Sequence, residues 1–136
     1  MLTDANGIVT LTTDLGTTEG YAAAIKGALL RVFPRAQLID VTHHIATRDI
    51  TEAAFQVATV WSAFPAGTVH LIIVAAADLA AHPPVAVAVG DQYFIAPNHG
   101  VLTLVAANIA PTQVISLDRT DLFHDAHPST FPGRDV

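Results

Sequence analysis

Several residue clusters in this chain have types and spacings that could do chemistry. The first is Thr12-Thr13-Asp14-Leu15-Gly16, which ends a β-branched run and opens a polar turn through Thr17 and Thr18. A carboxylate at that point can accept two hydrogen bonds from a sugar diol, as acidic residues do in nucleotide sites. The flanking threonines, Thr13 and Thr17 among them, can add weaker polar contacts. The plainer reading is that Asp14 caps the next helix or braces the turn. This is not a phosphate loop. It lacks the glycine run and the Lys-Ser/Thr pair of a Walker motif, and no G-x-G-x-x-G occurs.

The second cluster is Asp40, Thr42, His43 and His44, at the end of another β-branched run. Strand alternation makes His43 and His44 diverge. One then serves the structure while the other can line a pocket. The third is the turn Pro97-Asn98-His99-Gly100. It can present Asn98, His99 or backbone N–H groups to a ligand, or it can be a tight turn whose Asn and Gly supply unusual backbone angles. The fourth is Asp118, Asp121, His124, Asp125 and His127. Imidazole and carboxylate can hold an ion such as zinc, but Pro128 ends any helix there, and a solvated acidic turn is the default. No metal site is expected. There is no nucleophile elbow and no Cys, so a catalytic thiolate is excluded.

Composition narrows the classes. The 136 residues are 51% hydrophobic and 13% charged, with a mean hydropathy of +0.47. Disorder is excluded at that balance, and a lightly charged, Ala-rich surface suggests a partner or ligand. Six Lys and Arg stand against twelve Asp and Glu, a net charge of -6. None of the basic residues lies between Arg48 and Arg119, so the footprint that nucleic acid requires is missing. Anionic membranes are disfavoured for the same reason. No apolar run is long enough for a transmembrane helix, and the start MLTDANG does not look like a secretory signal. A cytoplasmic domain with a small-molecule ligand and no cofactor is the expectation.

The elements that must position these residues alternate. Strands are expected at 7–13, 37–42 and 68–75. A helix is expected at 19–33, with Ala22, Ile25, Leu29 and Val32 on one face. Another is expected at 51–63, capped by Thr51, with Ala54, Ala58 and Trp61 on one face and Val57 beside them. This order predicts two right-handed β-α-β crossovers in a mostly parallel sheet flanked by helices, an α/β fold. Short strands at 85–89 and 92–96 around Gly90-Asp91 predict a hairpin of unspecified turn type. A short helix at 100–108 and a strand at 112–118 follow. The loop AAADLAAHPP leaves the strongest strand and offers Asp78 and His82 as its polar side chains.

The ordered segments VTLTTDLGTTEGYAAAIKGALLRVFPRAQLIDVTHHI, DITEAAFQVATVWSAFPAGTVHLIIV, YFIAPNHGVLTLV and STFPGRDV span nearly the whole chain. Together they resemble the S-adenosyl-L-methionine (SAM) hydroxide adenosyltransferase family, relatives of the fluorinase and chlorinase. The resemblance implies a three-layer α/β/α N-terminal domain, here at 1–136, without the β-barrel domain that follows it in family members. It implies trimers that hold SAM between subunits. It also implies substitution at ribose C5′, in which hydroxide displaces methionine and leaves adenosine. Asp14 matches the family aspartate that binds the ribose hydroxyls.

The chain departs from the family pattern at several places. Ala75 stands where the V-D-P-G-V-G-like motif has its aspartate. The arginine expected downstream falls near His82 or Pro83. Pro132 replaces the histidine before G-R-D, and P-D-N-G reads P-N-H-G at 97–100. Asp78 and His82 are the groups that could take over, His82 as a base near neutral pH. The expectation is a nucleoside-binding protein with weak or lost activity, or a non-catalytic binding or assembly domain.

Overall fold

The computed structural model describes residues 6–77 and 80–107 and the backbone of a strand at 113–116. The first β-branched run forms β1 (Ile8–Thr13), and α1 (Tyr21–Val32) follows it. Then come β2 (Gln37–Thr42), α2 (Ile50–Val60) with a 3-10 turn at Trp61–Ala63, and β3 (Val69–Ile73). A hairpin of β4 (Pro84–Val89) and β5 (Gln92–Pro97) leads to α3 (Val101–Val105) and β6 (Gln113–Ser116).

The sheet order is β2-β1-β3-β5-β4-β6. β1 pairs parallel with both β2 and β3, and β3 pairs parallel with β5. β4 is antiparallel to β5 and β6. The chain therefore steps from β1 outward to β2, then returns across β1 to β3. That reversal creates a topological switch point between β1 and β3, the place where open α/β sheets bind ligands.

Alternation along the strands divides the core into two. Leu11, Leu71 and Ile73 pack with Ile25 of α1 on one face. Ile72, Val74 and Phe94 pack with Ala53, Ala54 and Val57 of α2 and with α3 on the other. The result is a mostly parallel sheet between helical layers, the expected α/β/α arrangement.

Local details correct the expectations. Asp49, not Thr51, caps α2: its Oδ1 accepts the Glu52 N–H at 3.0 Å. A carboxylate two residues earlier matches the exposed N–H groups of the first turn better than the exposed hydroxyl of Thr51 does. Ala58 is exposed, and the buried face of α2 is Ala53, Ala54 and Val57. Val32 is also exposed, and the buried residues of α1 are Ala22 and Ile25. In the hairpin, Gly90 has φ +59 and Asp91 does not have a positive φ. That is the II′ pattern, in which glycine leads.

One chain of buried polar groups was not legible in the sequence. His70 is fully buried, with its Nδ1 2.7 Å from Thr10 Oγ1 and its Nε2 2.6 Å from Gln92 Oε1. The Gln92 oxygen can only accept, so Nε2 carries the proton and Nδ1 accepts from the Thr10 hydroxyl. Burial pushes the His70 pKa below its ordinary value, partly offset by the Gln92 hydrogen bond. A neutral imidazole is stacked on Phe94 at 4.8 Å.

Candidate functional site

All four parallel strands end on the same edge of the sheet. That edge carries Asp14 after β1, His43 and His44 after β2, Val74 and Ala75 after β3, and Asn98 and His99 after β5. Three of the sequence clusters thus meet on one crest. The acidic tail cluster 118–127, together with Asp78 and Pro132, lies outside the described residues. Among the described residues no three His, Asp or Glu side chains gather in a way that could hold a metal ion.

Asp14 occupies the switch point and is half-buried. Its Oδ2 accepts two backbone N–H groups, from Arg48 at 2.9 Å and from Ala75 at 3.1 Å. Its own N–H donates to Ile73 O at 3.3 Å. Arg48 and Ala75 are the non-glycine residues with positive φ among the described residues, at 65° and 52°. Such backbone costs about 1–2 kcal/mol at a residue with a Cβ. The carboxylate compensates by fixing both N–H groups. Bracing of the turn, the plainer expectation, is therefore realised by one oxygen. Oδ1 accepts nothing from the described residues.

Thr13 lies beneath this turn, fully buried. Its Oγ1 is 2.8 Å from His43 Nδ1 and accepts the Leu15 N–H at 3.3 Å. His43 Nε2 in turn donates to Asp40 Oδ1 at 2.9 Å, and Lys26 of α1 donates to Asp40 Oδ2 at 2.9 Å. Burial pushes the Asp40 carboxyl up, but hydrogen bonds from Lys26 and His43 outweigh it and hold its pKa below the usual value. Residues three apart on a regular strand face opposite ways. Here the register slips between Leu11 and Thr12, leaving Val41 as an extra residue of β2. That bulge turns Asp40 and His43 to the same side. No sequence signal marked it.

His43 and His44 diverge, as alternation requires. His44 is exposed, with its Nε2 3.2 Å from Thr17 Oγ1. The His43 carbonyl also accepts the Gly16 N–H at 2.6 Å, where φ is +71. The Thr-rich turn is thus stitched to the end of β2.

On the other side of the switch point, His99 Nε2 donates to Val74 O at 2.7 Å. Its Nδ1 is buried and has no hydrogen-bond partner among the described residues. Asn98 has an exposed side chain and donates its N–H to Pro83 O at 3.0 Å. His82 is exposed, contacts Asn98 O through Nδ1 at 3.3 Å, and sits edge-on to His99 at 6.0 Å.

The family model of the SAM hydroxide adenosyltransferase N-terminal domain matches residues 9–136. The chain belongs to that family. Its relatives include the (R)-S-adenosyl-L-methionine hydrolase of Methanocaldococcus jannaschii, 31% identical over all of this chain and 52% of that protein. The hydrolase of Salinispora tropica is 33% identical over 94% of this chain and 49% of its own length. The fluorinase of an Actinoplanes species is 26% identical over all of this chain and 53% of its own length. The crystal structure of an uncharacterized conserved protein from Thermotoga maritima superposes with a TM-score of 0.86 at 32% identity, covering 95% of this chain and 49% of that one. The chain spans about half the length of the curated relatives it matches. In this SAM hydroxide adenosyltransferase family member, Asp14 and Ala75 therefore carry the comparison between expectation and geometry. The aspartate of the family resemblance is present, and its neighbour across the switch point has no side chain beyond Cβ.

Proposed function

We propose that this chain binds a nucleoside, adenosine or its SAM-type derivatives, at the crest between β1 and β3. The observation that carries this reading is the division of labour within Asp14. Oδ2 is taken by two backbone N–H groups, while Oδ1 accepts nothing from the described residues and faces no competitor among them for a sugar hydroxyl. An anchored carboxylate needs no reorganisation to receive a diol, and that lowers the ordering cost of binding. Asn98 and His99 line the far side of the crest. Thr17 lies on the near side, and Thr13 acts from below through the turn.

Turnover is slow or absent in this reading. In SAM hydrolysis the oxygen of water attacks C5′, the C5′–S bond breaks, its electron pair stays on sulfur, and methionine leaves. The attacking water loses its proton to a base. The family resemblance puts an aspartate at Ala75 and an arginine near His82 to organise that step. Each missing positioning group costs about two decades in rate. His82 is exposed and engaged with a backbone carbonyl, so it is a poor substitute.

Two measurements test the reading. Calorimetry is expected to show adenosine binding, and chromatography of SAM incubated with the protein is expected to show little adenosine or methionine above a heat-killed control. Silent titrations with both adenosine and SAM remove the binding claim. Rapid product formation removes the claim of lost turnover. Self-association that completes the cleft with a neighbour belongs to the same reading, and a monomeric mass in solution argues against it.

A further inference from the structure

A file of hydrogen bonds runs from the surface of β2 into the turn that carries Asp14. It begins at Asp40, whose two oxygens accept from Lys26 Nζ and His43 Nε2, each at 2.9 Å. It passes through the buried ring of His43 to Thr13 Oγ1 at 2.8 Å, and ends at the Leu15 N–H. Thr13 and Leu15 are the chain neighbours of Asp14 on either side. Two backbone bonds reinforce the same junction. Gly16 N–H donates to His43 O at 2.6 Å, and Ile45 N–H donates to Thr13 O at 3.3 Å.

The direction of every bond in this file is set at Asp40. Burial pushes its pKa up, but hydrogen bonds from Lys26 and His43 hold it below the usual value, so at neutral pH it only accepts. His43 Nε2 therefore carries a proton, and Nδ1 is the acceptor of the neutral ring. The Thr13 hydroxyl donates to Nδ1 and turns a lone pair to the Leu15 N–H. Apolar residues of similar volume often replace buried polar groups without loss of stability. What a satisfied polar file adds is a single geometry. Here that geometry belongs to the turn holding Asp14.

Resting on the nucleoside reading, we infer that Asp40 and His43 are positioning residues for the sugar: acting through Thr13, they fix the direction in which Asp14 presents its carboxylate to the diol. Neither touches the ligand. Asp14 Oδ2 is pinned by the N–H groups of Arg48 and Ala75, so the tilt of the turn decides where Oδ1 lies. A carboxylate that accepts from two hydroxyls is sensitive to that tilt, because hydrogen bonds weaken steeply as their angles close.

Calorimetry of the whole chain with adenosine and 2′,3′-dideoxyadenosine reads the diol contact as a ratio of affinities. Loss of folded protein weakens both nucleosides alike and leaves the ratio unchanged, so a purely structural role does not move it. In Asp40→Ala the ratio is expected to fall toward unity by about three- to tenfold, within the coupling found inside one hydrogen-bond network. Thr13→Val cuts the file at its other end and should lower the ratio as well. In wild type, the nitrogen-15 resonances of the His43 ring should place the proton on Nε2. A ratio unchanged from wild type in either variant, or a wild-type His43 proton on Nδ1, overturns the inference and leaves the nucleoside reading standing. Absence of heat with both nucleosides in wild type overturns both.

Discussion

The backbone N–H of Ala75 donates to Asp14 Oδ2 across 3.1 Å, tying the end of β3 to the end of β1. The bond spans the switch point of the sheet. It lets a residue with a Cβ hold φ +52, and it fixes the direction of the one carboxylate at that point among the described residues. The site and the stability of its loops therefore share an atom.

Asp14→Ala should destabilise the fold. Two backbone N–H groups lose a charged acceptor, and two left-handed residues lose their brace. A loss of about 1–3 kcal/mol is expected, the range for a hydrogen bond to a charged group. Asp14→Asn keeps one oxygen that can accept both N–H groups and should retain most of the stability. Urea denaturation compares the three proteins. Equal midpoints for wild type and Asp14→Ala would mean that the brace contributes nothing.

Ala75→Gly should raise the melting temperature or leave it unchanged. Glycine removes the Cβ strain of about 1–2 kcal/mol, offset by the greater freedom of the unfolded chain at glycine, about 0.5–1 kcal/mol. A thermal melt checks the sign. A clear drop would show that the Ala75 methyl packs usefully against its neighbours.

Thr13→Val should destabilise by about 1–3 kcal/mol, because it leaves His43 Nδ1 buried without its partner. The larger effect should fall on the crest. Amide hydrogen exchange at Leu15 and Gly16 is expected to speed up, since both N–H groups depend on the Thr13–His43 link. Unaltered protection at those two amides argues that the link is incidental.

Stability should fall in two separate acid windows. His70 has a folded pKa below its ordinary value of 6.5, so the unfolded chain binds the extra proton first. The contribution of neutral His70 is full above that value and is lost as pH falls below it, with a slope of at most about 1.4 kcal/mol per pH unit. Asp40 is also depressed, below 3.8, so its contribution persists through the His70 window and disappears only in stronger acid. Denaturant melts from neutral to mildly acidic pH check this. His70→Gln should flatten the first window, and a slope that survives the substitution assigns it to another group.

Much of the fold was legible because period and punctuation agree in this chain. The β-branched runs and the Pro and Gly stops located the described strands to within a residue or two. Parallel order followed from the alternation of strands with helices. What was missed depends on contacts distant in sequence. Asp49 caps α2 because of where its carboxylate falls, which the Thr51 hydroxyl signal obscured. The Asp40–His43 pairing needs the bulge at Val41, and nothing in Q-L-I-D-V-T announces one. The backbone donors of Arg48 and Ala75 to Asp14 come from loops 34 and 61 residues away, and backbone groups leave no mark in side-chain pattern. His70 read as part of an apolar strand, because its partners Thr10 and Gln92 lie 60 and 22 residues away and meet it only in three dimensions.

The central claim is that Oδ1 of Asp14 receives a sugar diol. Calorimetry with adenosine and 2′,3′-dideoxyadenosine, on wild type and on a folded Asp14→Asn protein, tests it most directly. The account predicts that wild type prefers adenosine by about tenfold or more, the scale of hydrogen bonds to a charged acceptor, and that Asp14→Asn loses the preference. Equal binding of the two nucleosides by wild type, or an undiminished preference in Asp14→Asn, would contradict it.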